Sequence, residues 1–296
     1  MNSTVAVLGP GAVGGSLAVR LATNGVPVVC VAHPEAVGLI ALAGLVVESP
    51  EGTLSARLEV VEHLAKPVRV LLVTVKAPAL SDALERVDPA AVADGVVIPL
   101  LNGLEHMEPL RERFGDRVLA GTISHFQAYR AGRVQIIEAT GAPVVTIASE
   151  TLPRGEVEAV AELLRRARID VRVAQSEKRV LWQKLARIAP LAAASAASGK
   201  SVGELRVDPD WRPRLESAVA EACEVAGADG VGLQAAAQWK IIDDMAAETT
   251  PSAARDVAAG RRSELDAIAG SVLRAAERLG VPCPALTSIA ASAGLR

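Results

Sequence analysis

Six residues, Gly9-Pro10-Gly11-Ala12-Val13-Gly14, leave few folds open to this chain, because they follow the apolar run Val5–Leu8 and open a stretch of helical spacing that reaches Asn24. A Gly-x-Gly-x-x-Gly sequence is weak on its own; its place between a strand and a helix makes it informative. Gly9 is expected to form the tight turn, Gly11 to let the backbone approach a pyrophosphate, and Gly14 to pack helix closely on strand. Pro10, Ala12 and Val13 complete this cofactor-binding turn, with helix N–H groups facing the phosphates.

From residue 4 to about residue 174, Val-rich runs alternate with Ala-rich helical stretches, the rhythm of parallel strands with crossover helices. Strands are expected at Val5–Leu8, Val28–Val31, Val68–Thr74 and Val96–Pro99, then at Val118–Gly121, Val134–Ile137, Val144–Ala148 and Ile169–Ala174. Beyond Ser176 no Val-rich run separates the helical patterns at Val180–Ala197, Arg214–Ala226, Leu233–Ala247 and Asp256–Leu279. The expected class is therefore α/β: a Rossmann-type dinucleotide-binding domain over residues 1–174 and an all-helical domain over 175–296. No internal repeat is apparent. Helices this rich in Ala and Leu bury apolar stripes, and a twin subunit is the expected cover, giving a homodimer.

Charge and composition remove several partner classes. Against 31 Lys+Arg stand 34 Asp+Glu, a net charge of −3, so no summed positive field draws nucleic acid or anionic membrane. Aromatics are 2% of the chain, which leaves few platforms for stacking single-stranded bases and a core built from Ala, Val and Leu. Cys30, Cys223 and Cys283 are widely separated, without metal-ligand or disulfide spacing, which suits a reducing cytoplasm and no metal. No basic leader precedes the glycine motif, and no apolar run approaches ~20 residues, so neither export nor a membrane span is expected.

In NAD-selective units of this kind, a carboxylate at the end of the second strand binds the ribose hydroxyl. Here that strand ends in Ala32-His33-Pro34, and the first carboxylate is Glu35. Its absence permits a 2′-phosphate, to which a protonated His33 adds a hydrogen bond, so the expected cofactor is NADP, used as NADPH. Lys76 and Asn102-Gly103 fall at the carboxyl ends of two successive buried strands, the edge where open α/β sheets bind ligands. Both are candidate cofactor-site residues.

The ordered set of motifs resembles the ketopantoate reductases (2-dehydropantoate 2-reductases). It comprises Gly9–Gly14, Thr74-Val75-Lys76-Ala77, Asn102-Gly103, Gly121-Thr122-Ile123-Ser124-His125, Trp182-Gln183-Lys184-Leu185, Gly203-Glu204-Leu205, Ser252 with Asp256, and Gly260-Arg261-Arg262-Ser263-Glu264-Leu265-Asp266. The resemblance implies NADPH-dependent reduction of a 2-keto acid, ketopantoate to pantoate in pantothenate biosynthesis, in a cleft between a Rossmann domain and a helical substrate and dimerisation domain. Carried over by motif, Lys184 is the catalytic lysine and Glu264 its acidic partner. Asn102 resembles the family's asparagine that lies against nicotinamide and substrate, and Ser252 resembles its serine that binds the substrate's carboxylate end. The chemistry agrees: hydride reaching a ketone carbon leaves negative charge on oxygen, which an ammonium stabilises and protonates.

Departures from the family pattern bear on the substrate. Asparagines expected one and two helical steps beyond the lysine are Ile188 and Ala192, and the one before Gly-Glu-Leu is Val202. On a helix Ile188 and Ala192 share the face of Lys184, so Ile188 becomes an apolar substrate-wall residue. Each hydrogen bond that an apolar side chain fails to make costs on the order of 1 kcal/mol of binding. Pro190 is expected to kink the helix. The usual arginine after the second strand is His33, and His125 is expected to make a structural hydrogen bond. Three readings follow: a 2-keto acid reductase acting on ketopantoate or a more apolar analogue; a reductase or dehydrogenase of specialised metabolism acting on another carbonyl, an imine or an enone; and, from another class, a non-catalytic NADP-binding regulator.

Overall fold

The computed structural model describes residues 3–295. The chain divides into two compact units, one of Met1–Leu101 with His106–Val180, the other of Asn102–Glu105 with Leu181–Arg296. The tetrapeptide Asn102–Glu105 thus leaves the end of a strand in the first unit to join the second.

The strands of the first unit, in chain order, are β1 (Val5–Leu8), β2 (Val28–Val31), β3 (Leu45–Ser49), β4 (Gly52–Ala56), β5 (Glu59–Val61), β6 (Val70–Val73), β7 (Val96–Pro99), β8 (Ala120–Ser124), β9 (Ala128–Arg130), β10 (Gln135–Glu138), β11 (Val144–Ala148) and β12 (Asp170–Val173). Its helices are α1 (Ala12–Thr23), α2 (Pro34–Ala43), α3 (Leu80–Leu84), α4 (Met107–Phe114) and α5 (Arg154–Arg165). Five strands pair in parallel in the order β5-β2-β1-β6-β7. After β1 the chain builds β2 and β5 on one side, then crosses to β6 and β7 on the other. The carboxyl end of β1 is therefore the point where the strand order reverses, the position at which such sheets bind ligands. β1, β6 and β7 are buried at every residue, which explains their unbroken Val, Leu and Ile runs.

Two smaller sheets, β4-β3-β10-β9 and β12-β11-β8, complete the unit. Helix α1 is fixed to the first of these by a buried polar cluster. Ser16 and Arg20, one turn apart, both bond Glu138 on β10, with Arg20 Nε 3.0 Å from Oε1; Arg20 and Glu138 are each 2% exposed. Each charge has its counter-charge and hydrogen bonds, the condition for burying it.

The second unit contains α6 (Glu177–Ser198) from Leu181 onward, α7 (Val202–Val207), α8 (Trp211–Ala228), α9 (Ala235–Asp243), α10 (Ser252–Ala258), α11 (Ser271–Leu279) and α12 (Pro284–Ser292). A Ser201–Glu204 capping box starts α7. The core is mostly Ala, Leu and Val, with Trp182 its one fully buried aromatic among the described residues. Trp182 Nε1 donates to Asp229 Oδ2 at 2.8 Å, tying α6 to the end of α8.

Expectation and structure part at three places. The span Asp256–Leu279 is not one helix: Gly260, at φ +64°, ends the turn after α10, and a loop then leads into a π-helical turn, Asp266–Gly270, before α11. Also, β3, β4, β5 and β9 were not expected. They are short, and β4 (Gly-Thr-Leu-Ser-Ala) has too little apolar content to register as a strand without its partner β3. Helix α6 runs through Pro190 without interruption. Among the described residues no helix is long and apolar enough to cross a membrane.

Candidate functional site

Three backbone demands shape the glycine turn. Gly9 has φ +83°, and a Cβ there would stand 2.4 Å from Val75 Cγ1. At Gly14 a Cβ would lie 2.1 Å from Thr74 Oγ1 and 2.5 Å from the Gly9 carbonyl, so helix and strand approach as closely as atoms allow. Gly11 differs: the nearest atom to its notional Cβ is 3.9 Å away. The protein thus leaves open the space beside Gly11, at the N-cap of the twelve-residue helix α1. Open backbone at a helix N-terminus fits the pyrophosphate of a dinucleotide. The Thr74 hydroxyl fixes the turn from β6, lying 2.9 Å from both the Leu8 and the Gly9 carbonyl oxygens.

Around this turn, His33 is exposed at the N-cap of α2, with Nδ1 4.0 Å from Glu35 Oε2. Lys76 is exposed just beyond β6. One neighbour escaped sequence reasoning. Arg130 Nη1 donates to the Pro10 carbonyl at 3.2 Å, and burial pulls its guanidinium below the ordinary arginine value. Its chain segment, Ala128–Arg130, lacks a strand signature, and only the pairing with β10 brings it to the turn.

In the second unit, Lys184 and Glu264 are electrostatically coupled. Glu264, 7% exposed, lies just ahead of the π-helical turn, and its negative charge favours the protonated lysine. Burial is the largest influence on Lys184, and with repulsion from Arg187 it outweighs Glu264, bringing the ammonium from 10.5 down to about 8. Such an amine holds a proton at neutral pH and releases it easily, as a general acid must. Glu264 is no surface partner for the adjacent arginines: Arg261 instead pairs with Asp256, Nε to Oδ1 at 3.0 Å.

Asn102 and Ser252 belong to the same unit. Gly103, at φ +100°, packs so closely on the π-helical turn that a Cβ would meet the Ala267 carbonyl at 2.2 Å. Arg274 reinforces this join, donating to Glu105 through Nε and Nη2 at 2.7 Å each and to Asp266 at 2.8 Å. Asn102 is thereby carried to the segment that follows Glu264. Ser252 is exposed at the first turn of α10, and Ser263 Oγ, beside Glu264, donates to the neighbouring Ala253 carbonyl at 2.9 Å.

The substituted positions separate into two kinds. Ala192 and Val202 are 1% and 0% exposed within the hydrophobic core, whereas Ile188 is partly buried at its margin. Of the three, Ile188 alone retains accessible surface on the Lys184 helix. His125 is exposed with φ +52°, so it does not supply a buried structural hydrogen bond, and its interest lies in the backbone bend after β8.

Residues 5–149 match the family described as ketopantoate reductase PanE/ApbA, and residues 178–294 match ketopantoate reductase PanE/ApbA C terminal. The chain belongs to the ketopantoate reductase family. A 2-dehydropantoate 2-reductase of Caulobacter vibrioides is 30% identical over 98% of this chain and 97% of its own length. A solved PanE/ApbA family ketopantoate reductase from Ralstonia eutropha superposes with a TM-score of 0.88 at 26% identity, covering 98% of this chain and 97% of that one. A D-mandelate dehydrogenase, solved with NADH and anilino(oxo)acetate, has the same fold at 19% identity, with a TM-score of 0.88 over 98% of this chain and 97% of that one. The Rossmann-type sheet followed by a helical domain is thus the family architecture, and the family is one of oxidoreductases.

Proposed function

We propose that this chain is an NADPH-dependent reductase of a 2-keto acid, with ketopantoate the first substrate to test. The observation that carries the reading is the Lys184–Glu264 pair: an ammonium brought by burial to about 8, opposed by a buried carboxylate, on a chain that also holds an open glycine turn at the sheet's reversal point. Gly9–Gly14 and Lys76 hold the dinucleotide, with His33 toward the 2′-phosphate. Bound there, the reduced nicotinamide supplies hydride.

Each residue of the second unit then has one task. Lys184 Nζ stabilises the negative charge that forms on the substrate oxygen and delivers a proton to it. Glu264 keeps that ammonium charged and oriented. Asn102, held in place by Gly103 and Arg274, positions substrate, and Ser252 Oγ binds its polar end. A homodimer belongs to the same reading and is checked by the mass of the protein in solution.

The partly exposed, apolar Ile188 favours a variation within this reaction class, a 2-keto acid bulkier and less polar than ketopantoate. The resemblance in fold to a mandelate dehydrogenase supports testing arylglyoxylates beside aliphatic acids. The deciding experiment follows loss of NADPH, and of NADH in parallel, at 340 nm with ketopantoate, 2-ketoisovalerate and phenylglyoxylate. Saturable oxidation of NADPH with at least one is expected. No oxidation with any of them overturns the assignment.

A further inference from the structure

One turn of α6 beyond Lys184 stands Arg187, a group the reaction just described does not use. Its guanidinium is held by neutral acceptors: Nη1 donates to the Gln183 carbonyl and, at 3.3 Å, to Oε1 of Gln238, a residue of α9 that is itself 4% exposed. Nε is buried and makes no hydrogen bond among the described residues. No carboxylate there forms an ion pair with Arg187, although other buried or half-buried arginines of the chain have one. Arg20 meets Glu138, Arg117 meets Glu156, and Arg111 meets Glu177.

An arginine cannot lose its charge to escape burial, so a desolvated guanidinium without a counter-ion is costly unless an anion arrives. Burial does disfavour the charged form of Arg187, and Arg187 in turn disfavours the charged form of Lys184, so the two cations share one electrostatic neighbourhood. Against these two positive groups, Glu264 is, among the described residues, the carboxylate that acts on Lys184. A single anionic ligand relieves the imbalance. Arg187 and Lys184 are three residues apart on one helix and so lie on the same face, separated by about one turn. That spacing suits a ligand whose acid group and carbonyl are adjacent, as in a 2-keto acid.

We propose that Arg187, braced by Gln238, is a charged anchor for the substrate's carboxylate, added to the hydroxyl of Ser252 where Ile188, Ala192 and Val202 have replaced polar side chains. This rests on the 2-keto acid reading above and adds the means of recognising the acid. A guanidinium binds a carboxylate through paired N–H donors, a strong and directional interaction, so the rest of the pocket can be apolar. Substrate choice in this chain then depends on an acid group next to the carbonyl, with tolerance for the remainder.

The test uses full-length protein and oxamate, an unreactive isostere of a 2-keto acid, as the probe, with binding measured by calorimetry in the presence and absence of NADP. Wild-type protein is expected to bind oxamate, R187Q to bind it at least tenfold more weakly, and Q238L several-fold more weakly. R187K, which keeps charge but loses the fork, should fall between wild type and R187Q. In turnover, R187Q and Q238L should raise KM for 2-keto acids while leaving kcat within a few-fold and NADPH affinity unchanged. Q238L also serves as the readout if R187Q does not fold. Failure of wild-type protein to bind oxamate, or equal binding by Q238L and by any folded Arg187 variant, overturns the proposal. Arginine-dependent oxamate binding without NADPH oxidation by any 2-keto acid supports the anion site and defeats the reductase reading, so the two failures are distinguishable.

Discussion

The hydroxyl of Thr74 lies 2.9 Å from the carbonyl oxygen of Gly9, and so the end of β6 braces the turn that follows β1. The same oxygen is 2.9 Å from the Leu8 carbonyl, leaving Thr74 to choose between two acceptors on one turn. Thr74→Val keeps the shape and removes the donor. The net value of such a bond is about 1 kcal/mol, and the loosened turn meets the pyrophosphate less well. Expected outcomes are a small fall in Tm and a several-fold rise in NADPH Kd, read by thermal scanning and by quenching of protein fluorescence.

Gly11 and Gly14 predict opposite patterns. An alanine at Gly11 meets no protein atom closer than 3.9 Å, so G11A should leave Tm essentially unchanged. Its methyl group occupies the room meant for the pyrophosphate, and NADPH affinity should drop at least tenfold. G14A places a Cβ 2.1 Å from Thr74 Oγ1 and 2.5 Å from backbone, which forces α1 off the sheet. Such overpacking costs about 1–3 kcal/mol, so G14A should lose both stability and affinity. Equal Tm losses in the two variants would contradict this division.

Much of the framework was readable from sequence because its signals are local. β1, β2 and β7 occupy the predicted spans, as a buried parallel strand writes itself as an unbroken apolar run. β4 and β9 were illegible because their residues become strands only through pairing with β3 and β10. The break after Gly260 was hidden for a different reason: its flanks keep helical spacing, and only the positive φ of Gly260 and the π-helical turn reveal the interruption. At the candidate site, Lys184 and Glu264 were found through motif, and the structure adds that burial, more than Glu264, governs the lysine. Arg130 and Arg187 could not be found. An arginine in sequence looks solvated until the structure shows what its nitrogens touch.

Glu138 offers a test of how the first unit is held together. Its carboxylate is buried and accepts from both Ser16 and Arg20, joining α1 to the second sheet. Removing one partner of a buried ion pair leaves the other charge desolvated, a loss of about 3–5 kcal/mol. E138A should therefore lower the midpoint of urea unfolding substantially with little change in slope. The double variant E138L/R20M, which removes both charges and keeps the volume apolar, should recover most of that loss. Without such recovery, the destabilisation comes from packing rather than from a stranded guanidinium.

The pH profile provides the sharpest check on Lys184. Its ammonium, brought down from 10.5 to about 8, must be protonated to act as an acid, so kcat for ketone reduction should be level below pH 8 and fall tenfold per unit above it. Oxidation of the 2-hydroxy acid, which needs the neutral amine as base, should rise through the same range. Glu264 pulls the value upward, so E264Q should move the inflection to lower pH. K184M should lose the inflection along with about 10²–10⁴ in rate. Stability has its own sign. Because the folded state disfavours the charged lysine, the cost of holding it is fully present below pH 8 and is relieved between about 8 and 10.5, where the unfolded chain still binds the proton. The stability advantage of K184M over wild type should accordingly shrink as pH rises through 8, and an advantage that stayed level with pH would place the ammonium in solvent.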